Sequence, residues 1–125
     1  MSERKAKILY VDDDQGLLDA MRAVLESSGY AMVEAHSGEE GLRVYREQRP
    51  DFVIVDLMME EVDAGTRLVK ELKAEGNTAP IYLLSSVGDQ VHLSIDPVAL
   101  GLDGVFQKPL DPGVLLTTLK IKLAG

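Results

Sequence analysis

Residues 7–14 read KILYVDDD: a short apolar run from Lys7 to Val11, rich in strand formers, that stops against three successive aspartates. Continuous apolar runs of this length, cut by polar residues, predict a strand rather than an amphipathic helix. The pattern recurs downstream. Residues 51–56 contain FVIV and end on Asp56, and Pro80 to Leu84 (PIYLL) ends on Ser85 and Ser86. Runs without polar alternation fit strands covered on both faces, as in a parallel sheet. Ala31 to Ala35 and Gly104 to Gln107, the latter ending at Lys108, supply two further short strands.

Helical spacing fills the intervals. From Gln15 to Ser27 the apolar residues Leu17, Leu18, Met21, Val24 and Leu25 recur on one face, with Asp14 as N-cap and Gly29 as stop. Gly38 to Gln48 follows, with Leu42 and Tyr45 on one side and Pro50 ending it. Gly65 to Ala74 carries Leu68, Val69 and Leu72 at the same spacing, and the run VLLTTLKIKL is introduced by Asp111 as N-cap and Pro112 at the first helical position. The fourth unit, Val87 to Leu102, is the poorest because Pro97 interrupts it. A long irregular loop, then a short helix with Asp96 as N-cap, accounts for it best. Alternating strands and helices predict a doubly wound α/β fold: a five-stranded parallel sheet with helices on both faces. In such sheets the working site lies outside the carboxyl ends of the strands.

Composition narrows the functions. The chain has 125 residues, 46% hydrophobic and 27% charged, with 13 Lys+Arg against 21 Asp+Glu and a formal net charge of −8. That length supports one domain, spanning 1–125, with no repeat or linker. Such an acidic chain repels nucleic-acid and lipid phosphates, so neither nucleic acid nor membrane is an expected direct partner. With no cysteine, thiol chemistry and disulfides are excluded. The apolar opening run is too short for a signal peptide or a membrane span, so a cytoplasmic location is expected.

The strand ends carry the chemistry. Asp12, Asp13 and Asp14 follow the first strand, Asp56 ends the third, Ser85 the fourth, and Lys108 follows the fifth. Carboxylates gathered at one edge repel one another and take up protons unless a cation neutralises them. Mg²⁺ suits such a site, since it takes a few carboxylate oxygens and keeps waters that a phosphate oxygen can replace. Asp14 reads as a cap alone. A carboxylate at Asp56 beside bound Mg²⁺ can attack a phosphoryl group, Ser85 can donate a hydrogen bond to it, and Lys108 can pair with it. His36 and His92 form no spaced metal pair and read as surface residues, and Gly38 and Gly41 make no phosphate-cradling loop. Met58 and Met59 read as packing residues.

Taken in order, ILYVDDD, VIVDLMM, PIYLLSS and GVFQKPL resemble the receiver domain of two-component response regulators, the chemotaxis-type flavodoxin-like fold. The resemblance covers nearly the whole chain. It implies strand order 2-1-3-4-5, Asp56 as phosphoacceptor, and Mg²⁺ held by Asp13 directly, Asp12 through water, Asp56 and the main-chain carbonyl of Met58. Ser85 then takes the place of the switch hydroxyl, Lys108 that of the phosphate-contacting lysine, and Lys108-Pro109 that of a cis peptide bond. It further implies a histidine kinase or phosphotransfer protein as phosphoryl donor, self-phosphorylation and self-dephosphorylation rather than metabolite turnover, and output to a partner through the fourth and fifth units.

Four departures qualify it. The usual switch aromatic is replaced by Val105, and Phe106, one residue on, points to the opposite face and reads as core. The loop after Asp56 has Glu60 where the family commonly has Pro, and the usual Asp-Gly is spread over Asp63, Ala64 and Gly65; its acidic run of Glu60, Glu61 and Asp63 reads as a solvated loop. Pro97 shortens the fourth helix. The resemblance makes Met58 and Val87 the two flanking positions that tune phosphoryl lifetime in the family, and apolar groups there cannot orient an attacking water, which predicts slow self-dephosphorylation. Two alternatives stay open: a pseudo-receiver that only binds a partner, and a haloacid-dehalogenase-type phosphohydrolase, which also opens with D-x-D but would need a late acidic pair that is missing here. Whether the chain stands alone or belongs to a longer protein is also open.

Overall fold

The computed structural model describes residues 5–57, 59, 64–86 and 97–124. In chain order the elements are β1 (Lys7–Val11), α1 (Gln15–Ser27), β2 (Ala31–Ala35), α2 (Gly38–Gln48), β3 (Phe52–Asp56), α3 (Ala64–Ala74), β4 (Ile81–Ser85), α4 (Pro97–Leu100), β5 (Gly104–Gln107) and α5 (Pro112–Leu123). The five strands form one sheet in the order β2-β1-β3-β4-β5, every neighbouring pair parallel. This is the doubly wound fold expected from the alternation of apolar runs and helical spacing. The short helix at Pro97–Leu100 matches the expected effect of Pro97.

Why the sheet is covered on both sides follows from strand alternation. Ile8, Tyr10, Phe52, Ile54, Tyr82, Leu84 and Phe106 face one side and pack with Leu18, Met21 and Leu25 of α1 and Leu115 and Leu119 of α5. Leu9, Val11, Val53, Val55, Ile81 and Leu83 face the other and pack with Tyr45 of α2 and Leu68, Val69 and Leu72 of α3. A slip of one residue in any strand would exchange the two layers, so the register is strongly specified.

Phe106 lies in the first layer, 5% exposed, stacked on Tyr82, which in turn stacks on Phe52. That row of rings crosses β3, β4 and β5 and confirms Phe106 as a core residue. Gly104 makes the row possible, because a Cβ there would sit 2.4 Å from the Tyr82 ring.

Small boundary differences have local causes. Asp51 is left out of β3 because its carboxylate accepts the Lys7 N–H, closing the strand start from the side. Pro80, which lacks an N–H, leaves β4 to begin at Ile81, whose N–H is taken by the Asp103 side chain. In α2 the buried residues are Gly41 and Tyr45, with Leu42 partly buried at the layer's margin. Its C-cap, Arg49, adopts the left-handed conformation at φ 49°. His36 is exposed, as its sequence context suggests, with its ring between Glu40 and Gln15.

Candidate functional site at the carboxyl edge of the sheet

Parallel pairing brings the polar strand ends to one edge. Val11 is level with Val55, Asp56 with Leu84, and Ser85 with Gln107, so the residues that follow β1 and β5 flank the ends of β3 and β4. Asp12, Asp13 and Asp56 each place one carboxylate oxygen within 4.8 Å of the others. Asp12 and Asp56 are buried, whereas Asp13 is exposed. The Lys108 ammonium stands 2.8 Å from Asp56 Oδ1. A cleft of about 460 Å³ opens between α1 and the turn after β5, lined by the acids, Lys108 and Pro109 and floored by Leu17, Leu84 and Leu110. The Lys108–Pro109 peptide bond is cis.

The backbone holds this group in place. Asp12 Oδ1 accepts the Asp14 N–H at 2.9 Å, and Asp14 in turn caps α1 by accepting the Leu17 N–H. Asp14 is thus a structural cap, as the sequence indicates. Behind Asp56, the N–H of Leu57 bonds to the carbonyl of Leu84. Gly65, in the first turn of α3, lies so close that a Cβ there would sit 2.6 Å from the Asp56 carbonyl oxygen. Only glycine lets α3 approach the chain leaving the acid.

Burial, above all, pushes the Asp12 carboxyl up to about 6; the Asp14 N–H opposes this, the Asp56 carboxylate adds to it and Lys108 opposes it. Three carboxylates face one lysine, and Asp12 Oδ2 is buried with no protein hydrogen-bond partner. An all-oxygen, net-negative donor set with a buried acceptor left over fits a hard divalent cation such as Mg²⁺. Asp12, Asp13 and Asp56 are the side chains that would hold it.

Of the residues singled out in the sequence, Asp12, Asp13, Asp56 and Lys108 therefore meet. Ser85 is adjacent and buried, but its hydroxyl donates to the Ser86 carbonyl at 3.1 Å. Met58 lies outside the described residues, as do Glu60, Glu61, Asp63, Val87 and His92. Met59 packs in the α2–α3 layer. One polar group escaped the sequence reading: Tyr10, fully buried two residues before Asp12, whose hydroxyl has no protein partner. The period-two alternation of β1 was the available signal, since it places Tyr10 and Asp12 on the same side of the sheet.

Comparison with known proteins agrees with this geometry. The response regulator receiver domain family matches residues 8–120. The transcriptional regulatory protein GlrR of Escherichia coli is 42% identical over 119 residues, which are 92% of this chain and 26% of that protein. The alkaline phosphatase synthesis transcriptional regulatory protein PhoP of Bacillus subtilis is 31% identical over 106 residues, 85% of this chain and 43% of that one. The chain thus spans between about a quarter and a half of the length of such relatives. Among solved structures, a putative response regulator from Chloroflexus aurantiacus superposes with a TM-score of 0.84 at 31% identity, covering 98% of this chain and 100% of that one. The chemotaxis protein CheY4 of Vibrio cholerae gives 0.83 at 29% identity, covering 95% and 99%. With the acids, the lysine and the strand order all in place, the chain belongs to the response regulator receiver domain family.

Proposed function

We propose that this receiver domain accepts a phosphoryl group on Asp56 from a histidine kinase or phosphotransfer protein, with Mg²⁺ as cofactor, and passes the resulting change to a protein partner. The observation that carries the reading is the buried Asp56 carboxylate, ion-paired to Lys108 at 2.8 Å and sharing an edge with Asp12 and Asp13. An Asp56 oxygen attacks phosphorus in line, the P–N bond of the donor phosphohistidine breaks, and the imidazole leaves. Bound Mg²⁺ supplies charge neutralisation on the phosphoryl oxygens. Lys108 moves from the Asp56 carboxylate to a phosphoryl oxygen, and Ser85 turns its hydroxyl from the Ser86 carbonyl to another.

The change acts on a partner only through a difference in stability between two conformations. The net charge of −8 argues for a protein partner rather than direct contact with nucleic acid or membrane. The domain works on itself and turns over no metabolite, and a cytoplasmic location suits it. Met58 and Val87, two residues after Asp56 and Ser85 respectively in the sequence, are apolar and favour a long-lived aspartyl phosphate.

Intact-protein mass after incubation with Mg²⁺ and a small acyl phosphate tests this. One phosphoryl group is expected on the wild type, none on Asp56→Asn, and none without Mg²⁺. Wild type that gains no mass and binds no Mg²⁺ would be a pseudo-receiver. Followed over time, the same measurement reads the lifetime; decay within seconds would contradict a slow hydrolysis.

A further inference from the structure

We propose that Tyr10 is a positioning residue of the acidic site, its hydroxyl donating through one internal water to Asp12 Oδ2 and so fixing the carboxylate that faces a bound cation. Among the described residues, Tyr10 Oη and Asp12 Oδ2 are the only buried side-chain polar atoms without a protein hydrogen-bond partner. They belong to residues two apart along β1 and its continuation, and Tyr10 shows 0% and Asp12 1% of its surface. Strand alternation points both to the α1–α5 side of the sheet. One is a donor and the other an acceptor. Buried polar groups are nearly always satisfied, and a water between two such groups satisfies both at once.

The surroundings leave them little else. Tyr10 is enclosed by the apolar layer containing Leu18, Leu84 and Leu110. Asp12 Oδ1 is engaged by the Asp14 N–H and the Asp56 carboxyl stands beside Asp12, while Oδ2 keeps no protein donor. A phenol carries its proton at neutral pH. It is therefore a permanent donor beside a carboxylate, the relation by which outer partners orient metal-binding groups.

The inference rests on the Mg²⁺ site of the proposed function, and two measurements keep the two apart. The first is free of metal: a double-mutant cycle of melting temperature with Tyr10→Phe and Asp12→Ala. The linked pair predicts a departure from additivity of about 2–5 °C; additive effects overturn the link. The second is calorimetric titration with MgCl₂. Tyr10→Phe is expected to weaken Mg²⁺ binding about tenfold, whereas Tyr45→Phe, a buried hydroxyl lost at the opposite edge, leaves it unchanged. Wild-type affinity in Tyr10→Phe overturns the positioning role. Failure of the wild type to bind Mg²⁺ overturns the proposed cofactor instead, with the cycle still deciding the Tyr10–Asp12 link.

Discussion

Two clefts of nearly equal size sit at opposite edges of the sheet, and they differ in how their polar groups are treated. The cleft at the carboxyl edge, about 460 Å³, holds Asp12, Asp13, Asp56 and Lys108. The one at the amino edge, about 470 Å³, is lined by Tyr45, Arg49, Asp51, Asn77 and Lys122 among others. At the amino edge the buried amide of Asn77 accepts from the Tyr45 hydroxyl and the Ala79 N–H and donates to the Ala79 carbonyl. The Asp51 and Asp103 carboxylates there cap the β1 and β4 starts through the N–H groups of Lys7 and Ile81. At the carboxyl edge, buried carboxylates crowd together, and Asp12 Oδ2 has no protein donor. Volume does not tell a working site from a seam in the fold. Unfinished hydrogen bonding does, because a folded chain keeps costly unsatisfied groups chiefly where something else will meet them.

The sharpest way to break this contrast is a pair of substitutions with opposite signs. Asn77→Ala removes three hydrogen bonds and strands the Tyr45 hydroxyl and the Ala79 N–H, so it is expected to destabilise the fold by about 2–4 kcal/mol. Phosphoryl acceptance per folded molecule should be unchanged. Asp12→Asn removes a buried charge yet keeps an oxygen for the Asp14 N–H, so in metal-free protein it is expected to stabilise by about 1–3 kcal/mol. It should also abolish Mg²⁺ binding. Thermal or urea melts without Mg²⁺ read both. If Asp12→Asn lowered the melting temperature, the carboxyl edge would be a structural network like the other and the contrast would fail.

The strands, the helices and the convergence of Asp12, Asp13, Asp56 and Lys108 were legible because each rests on a local signal. Apolar runs ended on polar residues, Asp14 and Asp111 capped helices, and parallel pairing does the rest. Phe106 was placed in the core by counting alternation from Lys108, and its stack on Tyr82 bears that out. What was not legible depends on contacts between distant segments. Nothing in GTRL shows that Gly65 must admit the Asp56 carbonyl. Nothing in PIYLL shows that Ser85 turns its hydroxyl to Ser86. Tyr10 was readable in principle, but a tyrosine in an apolar strand passes for packing until its hydroxyl is found without a partner.

The pH dependence of metal-free stability sharpens the same comparison, with an effect no larger than that of Asp12→Asn. In the folded chain Asp12 titrates at about 6, above its ordinary value of 3.8. The folded state therefore holds this proton more tightly than the unfolded one. Its contribution is fully present below about pH 4 and is lost as pH rises through about 6. A melting series across that window should show the wild type losing stability relative to Asp12→Asn. Parallel curves would mean that burial at the carboxyl edge puts no strain on the charge. Mg²⁺ should reverse the loss, since binding to the folded state alone adds stability by mass action.

The smallest expected effect tests the other edge. Arg49 ends α2 at φ 49° and ψ 66°, where a Cβ is disfavoured and glycine is the usual occupant. Strain of this kind gathers at working sites more often than at seams, so it is the feature of the amino edge that least fits a seam. If that edge is structural, Arg49→Gly relieves the conformation against a smaller loss of unfolded-chain restraint, for a net gain of about 0.5–1 kcal/mol. The guanidinium should matter little, because the ion pair that ties α2 to the end of α3 is made by Arg46 with Glu75, and Arg49 adds only its more distant charge. A melt and a phosphorylation assay on the variant decide the point. Higher stability with unchanged phosphoryl acceptance leaves Arg49 an inherited imperfection in a helix cap. A gain in stability bought by slower acceptance would instead couple the two edges, and the strain at Arg49 would then belong to the function.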